Sequence, residues 1–64
     1  MTWEELKEEA KKMRALVREE QILYANLECW KDGEVWFFDD LGRHTTLAVD
    51  RTPDQMLAIM KALQ

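Results

Sequence analysis

The sequence predicts a small two-layer α+β domain, a three-stranded antiparallel meander with both helices packed on one face. Two observations support this prediction. Two short segments that end in glycine, Lys31-Asp32-Gly33 and Asp40-Leu41-Gly42, separate three stretches in which side chains alternate in character. One stretch with helical spacing of its apolar residues precedes them, and another follows. The predicted order is therefore α-β-β-β-α, in a single domain of residues 1–64.

The first helix is predicted over residues 2–18. Thr2 and Glu5 have the spacing of a capping box, in which each side chain accepts a hydrogen bond from the other residue's backbone N–H. The following apolar residues recur every three or four positions and would form one seam along the helix. They are Trp3, Leu6, Ala10, Met13 and Val17. A seam this short favours a helix packed on a sheet over a coiled coil.

The three strands are predicted over residues 21–30, 34–39 and 43–50, where the sequence alternates with a period of two. Gly33 and Gly42 end the intervening turns, where glycine readily adopts a positive φ.

The turn lengths determine which side chains share a face of the sheet. Three-residue loops would pair Trp30 with Glu34 and Asp39 with Arg43. The odd-numbered strand residues would then share a mostly aliphatic face. These are Leu23, Ala25, Leu27, Cys29, Val35, Phe37, Leu47 and Val49. A two-residue first turn is the alternative, and it would place Cys29 opposite Trp36.

The second helix is predicted over residues 53–63. Thr52 and Gln55 form another capping box, and Pro53 occupies the first helical position, where its missing N–H is not needed. Its apolar residues are Met56, Leu57, Ile59, Met60 and Leu63. Two helices about 10 Å wide roughly match three strands about 4.8 Å apart. One face of the sheet would then stay uncovered. The alternative is one helix on each face.

The uncovered face is the predicted functional surface. It would carry Tyr24, Glu28, Trp30, Trp36, Phe38, His44 and Thr46. An aromatic centre with a polar margin is typical of protein–protein hot spots. The sequence therefore favours a non-enzymatic interaction module that self-associates or docks a protein partner, with a homodimer as the preferred partner state. The alternatives are that the rings belong to the protein's own core, or only stabilise the sheet by cross-strand pairing.

The acidic residues are concentrated in the middle of the chain, which has a net charge of −4. Around the first predicted hairpin, Lys31 is the only basic residue among five acidic ones: Glu28, Asp32, Glu34, Asp39 and Asp40. We expect Asp32, Glu34, Asp39 and Asp40 to form an acidic patch. Such a patch indicates either turn and edge solubility or a surface for a basic partner.

The sequence offers little for catalysis. It contains no serine, one cysteine, Cys29, and one histidine, His44. Cys29 lies on the predicted core face, and no nucleophile accompanies His44. We expect no enzyme activity, cofactor or metal site. With no signal peptide or long apolar run, a cytoplasmic location is expected.

The predicted topology resembles the double-stranded-RNA-binding domain. That family places a lysine cluster at the start of its last helix, where this chain has Arg51 followed by Thr52-Pro53-Asp54-Gln55. Direct nucleic-acid binding is therefore not expected. The same topology with acidic strands is also similar to that of small phage-encoded inhibitors of CRISPR nucleases. That resemblance implies an alternative function as an acidic inhibitor that blocks a basic nucleic-acid-binding groove. The Thr-Trp-Glu-Glu-Leu start and the two capping boxes are also typical of a designed mini-protein, a further alternative.

Overall fold

The chain folds into two helices and a five-stranded antiparallel sheet, as shown by a computed structural model that describes all 64 residues. The strands are adjacent in sequence order, so the sheet is a simple meander. The elements are α1 (Trp3–Lys12), β1 (Leu16–Val17), β2 (Gln21–Tyr24), β3 (Leu27–Trp30), β4 (Val35–Phe38), β5 (His44–Ala48) and α2 (Pro53–Ala62). The α+β class is as predicted, but the prediction of three strands is wrong.

Both predicted capping boxes are confirmed. In α1 the Thr2 hydroxyl accepts from Glu5 N at 3.1 Å, and Glu5 Oε1 accepts from Thr2 N at 2.8 Å. In α2, Thr52 and Gln55 exchange the same pair of bonds at 3.2 and 2.9 Å. Local side-chain chemistry therefore defines both helix starts. Neither helix is long and apolar enough to cross a lipid bilayer.

Helix α1 ends six residues earlier than predicted. Arg14 adopts a positive φ of 65°, and Ala15 N donates to Ala10 O at 3.0 Å, which closes the helix. Leu16 and Val17 then form β1, the first edge strand. Val17 still packs against the core, but from a strand. The helical spacing of apolar residues continued across the true boundary, so spacing alone could not reveal it.

The predicted strand 21–30 is in fact a hairpin. It turns at Ala25 and Asn26, and Ala25 has a φ of 51° in the left-handed region. The turn reverses the chain, so Ile22 pairs with Cys29 and lies on the helix side. Leu23 pairs with Glu28 and lies on the opposite face, contrary to the prediction.

The predicted three-residue loops are confirmed in both later hairpins. Trp30 N donates to Glu34 O at 2.9 Å, and Asp39 N donates to Arg43 O at 3.0 Å. The pairing between β4 and β5 shifts by one residue between Val35 and Trp36, a β-bulge. The bulge and the reach of the helices leave three predicted core residues of the outer strands exposed. They are Phe37, Leu47 and Val49.

One hydrophobic cluster joins the two helices to the middle of the sheet. Its nine residues are Trp3, Leu6, Ala10, Ile22, Leu27, Cys29, Val35, Met56 and Met60. The strand members all lie on the same side of the sheet by their pairing. The Trp3 indole N–H donates to Glu19 O at 3.0 Å, which ties α1 to the loop after β1. The helices therefore cover one face of the sheet.

Candidate functional site

The opposite face of the sheet, here called the open face, carries most of the predicted interface residues. Glu28 on β3 pairs with Trp36 on β4, and Trp36 pairs with Thr46 on β5. Phe38 and His44 form the next pair along β4 and β5. This row-by-row arrangement follows from the two confirmed loop lengths.

Tyr24 does not join the open face. Its register partner is Leu27, and its side chain packs against the hydrophobic cluster. The Ala25–Asn26 turn is the reason, because it reverses the alternation of β2 relative to β3. The prediction that Tyr24 lies on the uncovered face is therefore wrong.

A pocket of about 420 Å³ lies on the open face. Its lining combines two indoles, three carboxylates and one imidazole. The residues are Glu28, Trp30, Asp32, Glu34, Trp36 and His44. No lysine or arginine is among them. Because three carboxylates and only one imidazole line the pocket, it presents negative charge beside aromatic rings.

Glu28 is the most deeply buried polar residue of the pocket. Only 8% of its side chain is exposed. Its Oε1 accepts a 2.7 Å hydrogen bond from Gln21 Nε2, whereas the buried Oε2 makes no hydrogen bond. His44 Nδ1 lies 3.2 Å from that oxygen. A buried acceptor without a hydrogen bond is destabilising and uncommon in folded proteins.

The Trp36 ring is held in place by its neighbours. Its indole N–H donates to Glu34 Oε2 at 3.0 Å, so the polar edge of the ring is satisfied within the chain. The His44 ring contacts two aromatic rings, with centroids 6.5 Å from Trp36 and 5.8 Å from Phe38. The hydrogen bond to Glu34 therefore orients the Trp36 indole within the chain itself.

The predicted acidic patch separates into two groups. Asp32 and Glu34 line the pocket, and Asp32 Oδ1 accepts from Glu34 N at 3.0 Å. Asp39 lies in the next turn, where its carboxylate accepts from Arg43 N, Arg43 Nε and Leu41 N at 2.8–3.0 Å. The bond from Arg43 N is the main reason that the pKa of Asp39 lies below its usual value. Asp40 is exposed at the same turn, outside the pocket.

No family model, curated protein or solved structure matches this chain. The chemistry of the pocket is therefore the guide to its function.

The cysteine lies apart from the pocket. Cys29 is fully buried on the helix side of β3, and burial raises the pKa of its thiol to about 11. The thiol is therefore protonated at neutral pH and poorly nucleophilic. No three His, Cys, Asp or Glu side chains converge closely enough to hold a metal ion. The pocket therefore presents three carboxylates beside two indoles.

Two features of the pocket were missed by sequence reasoning. Glu28 was expected at a polar margin, and Gln21 was not expected near the site. In a single strand from 21 to 30, these two residues would lie about 23 Å apart. The β2–β3 hairpin instead brings them into hydrogen-bond contact. A turn signal at Ala25-Asn26 would have revealed both, but neither residue there is a glycine or proline.

Proposed function

We propose that this chain is a non-enzymatic protein-interaction module that docks a basic segment of a partner protein on its open face. The observation that carries the proposal is the pocket itself, with three carboxylates, two indoles and no lysine or arginine. Its volume of about 420 Å³ falls within the usual range of ligand pockets.

The aromatic part of the pocket supports binding to a protein. Trp30 and Trp36 are partly buried, so each still presents ring surface to solvent. Tryptophan is enriched at hot spots because a large rigid ring buries much area at low entropic cost. Trp36 is also fixed by its hydrogen bond to Glu34, which reduces the ordering needed upon binding.

The charges favour a basic partner over a second copy of the chain. In a dimer whose two-fold axis passes through the pocket, Glu28, Asp32 and Glu34 of one copy would face the same residues of the other. Like charges placed opposite one another in an interface cost several kcal/mol. A segment rich in lysine or arginine would neutralise the same carboxylates.

Peptide titration tests this proposal. The peptides are alternating arginine–glycine and lysine–glycine sequences, with a glutamate–glycine peptide as the control. We expect the basic peptides to change the tryptophan fluorescence saturably, with an affinity that falls as salt is added. The glutamate–glycine peptide should leave the fluorescence unchanged.

A matched pair of variants locates the binding. Asp32→Asn removes one charge at the pocket, and Asp40→Asn removes the same charge outside it. We expect Asp32→Asn to weaken binding several-fold and Asp40→Asn to have little effect. Equal effects of the two variants would show only a general attraction to an acidic protein. No binding by either basic peptide would overturn the proposed function.

The acidic-inhibitor hypothesis remains the second candidate, and the clustering of Glu28, Asp32 and Glu34 on one face supports it. A mimic of nucleic-acid charge would use an extended acidic surface. Charge reversal at Asp40 should then weaken binding to a basic nucleic-acid-binding groove about as much as reversal at Asp32. In the interaction module, reversal at Asp32 should dominate.

A further inference from the structure

We infer that the pocket on the open face receives the guanidinium group of an arginine side chain, with Glu28 as its buried acceptor and Trp30 and Trp36 as aromatic walls. This inference rests on the proposed function and specifies which basic group enters the pocket.

Glu28 provides the first argument. Its Oε2 is buried without a hydrogen bond, while Oε1 is already bound to Gln21. The unused oxygen needs a donor, so a basic group that binds there must carry an N–H. A quaternary ammonium, which often occupies aromatic pockets, has no N–H and would leave that oxygen unpaired. The choice therefore lies between a guanidinium and an ammonium that keeps its protons.

The indoles provide the second argument. A guanidinium is planar and weakly hydrated, and it stacks on aromatic faces. An ammonium is a compact, strongly hydrated charge, so moving it against an indole face requires more desolvation. Trp30 and Trp36 both line the pocket, and the Trp36 N–H is already used by Glu34. The exposed ring surface is therefore available for stacking rather than for a hydrogen bond.

The number of acceptors provides the third argument. Asp32 uses Oδ1 to accept from Glu34 N, and Glu34 uses Oε2 to accept from Trp36. The second oxygen of each carboxylate makes no hydrogen bond within the chain. Together with Glu28 Oε2, three acceptors remain around one pocket. A guanidinium has five N–H donors in a fixed fork, compared with three on an ammonium.

His44 is the internal competitor for this role. Its Nδ1 lies 3.2 Å from Glu28 Oε2, within ion-pair distance when the imidazole is protonated, although the geometry does not form a hydrogen bond. The side chain is half-exposed, at 52%, so it can rotate away when a ligand enters.

The test uses small probes that differ only at the side-chain end. The probes are the Nα-acetyl amides of arginine, citrulline, lysine and trimethyllysine, titrated into the protein while its NMR spectrum is recorded. We expect the arginine probe to shift the indole N–H signals of Trp30 and Trp36 saturably. Its affinity should exceed that of citrulline at least tenfold, because citrulline keeps the shape but lacks the charge. Lysine should bind more weakly than arginine, and trimethyllysine more weakly still.

A variant tests the role of Glu28. Glu28→Gln keeps the size of the side chain and removes its charge, and we expect it to weaken the arginine probe at least tenfold. Asp40→Asn, outside the pocket, should leave the affinity unchanged. If Glu28→Gln binds arginine as well as the native chain, Glu28 is not the acceptor and the inference is overturned. The arginine–citrulline comparison uses the native chain and decides the matter even if Glu28→Gln does not fold.

The outcomes separate this inference from the proposed function. Equal binding of the arginine and lysine probes, with binding of both basic peptides, would overturn the choice of arginine and leave docking of a basic segment in place. Binding of neither basic peptide would overturn both. Tight binding of trimethyllysine would show that the pocket works as an aromatic cage without using Glu28 Oε2.

Discussion

The helices cover the inner half of the sheet, strands β1 to β3, better than its outer half, strands β4 and β5. Leu27 and Cys29 on β3 are buried beneath α1 and α2, whereas Phe37 on β4 and Leu47 on β5 are 40% and 54% exposed. Helix α1 contacts β1 and β2, on the side of the sheet away from β5. Two ten-residue helices are therefore too small to cover all five strands of the sheet.

This difference separates the source of stability from the source of recognition. The inner half supplies three of the four strand residues of the hydrophobic cluster, and Val35 on β4 is the fourth. The pocket begins on this half, at Glu28, and extends to His44 on the outermost strand. The outer half can therefore expose a binding surface while the residues of the hydrophobic cluster stay buried.

The largest effect should come from the same substitution made in each half. Leu27→Ala removes a buried side chain from β3 and should destabilise the fold by about 2–5 kcal/mol. A core of this size rarely supplies more than about 3–5 kcal/mol, so the variant should be partly or fully unfolded. Leu47→Ala removes an exposed side chain from β5 and should change stability by less than about 0.5 kcal/mol. Urea denaturation followed by circular dichroism measures both. Similar losses would mean that the outer half is also packed in solution.

The two glycine turns give a second comparison. A Cβ added at Gly33 would lie 2.9 Å from the backbone N and O of Arg51, and φ is +99°. Gly33→Ala should therefore cost roughly 2–3 kcal/mol. At Gly42 φ is also positive, at +77°, but no atom lies within 4 Å of the added Cβ. Gly42→Ala should cost only the backbone strain, about 1 kcal/mol. Thermal unfolding measures the two losses, and a larger loss at Gly42 would contradict the close packing at Gly33.

The thiol of Cys29 reports burial in the inner half through pH. Its pKa is raised from 9.0 to about 11 in the folded chain, so the fold favours the protonated thiol. This stabilisation is fully present below pH 9 and is lost as the pH rises toward 11. Between pH 9 and pH 10, stability should fall by about 1 kcal/mol from this group alone.

A matched variant isolates the thiol. Cys29→Ala should lack this part of the pH dependence, which denaturation curves at the two pH values can show. The native thiol should also react slowly with alkylating reagents until the chain is unfolded. Fast labelling at neutral pH under native conditions would mean that β3 is not covered as described.

The smallest effect is expected at the turn between β2 and β3. Ala25 has a φ of 51°, which a residue with a Cβ adopts at a cost of about 1–2 kcal/mol. Ala25→Gly removes this strain but adds flexibility to the unfolded chain, so we expect a net gain of about 0.5 kcal/mol. Ala58→Gly on the exposed side of α2 is the control and should lose about 1 kcal/mol. A loss at Ala25 as large as that at Ala58 would argue against the left-handed turn.

Local signals in the sequence predicted much of the fold. Thr2 and Thr52 identified both helix starts, and Gly33 and Gly42 identified two of the turns and their registers. The missed features share one cause. The chain adopts positive φ at Arg14 and Ala25, residues whose side chains do not favour that conformation. Both side chains are exposed, and neither residue type marks a turn, so no local pattern indicated these two bends.

The candidate site was predictable to the same extent. The two glycine turns placed Glu28, Trp36 and Thr46 in one row, as the structure shows. The unrecognised turn at Ala25 accounts for the error at Tyr24 and for the unexpected contact between Gln21 and Glu28. The deep burial of Glu28 could not be predicted, because it depends on that fold-back.

Gly33 packs closely against the segment before α2, and this contact should couple the opening motions of the two segments. Arg51 N donates to Gly33 O at 2.9 Å, so the loop carrying Asp32 is tied to the residue just before the Thr52 cap. The rim of the pocket and the base of the second helix should open as one unit. Slow deuterium uptake at the Arg51 amide would show that the two segments open together. A ligand bound in the pocket on the open face should slow this uptake further.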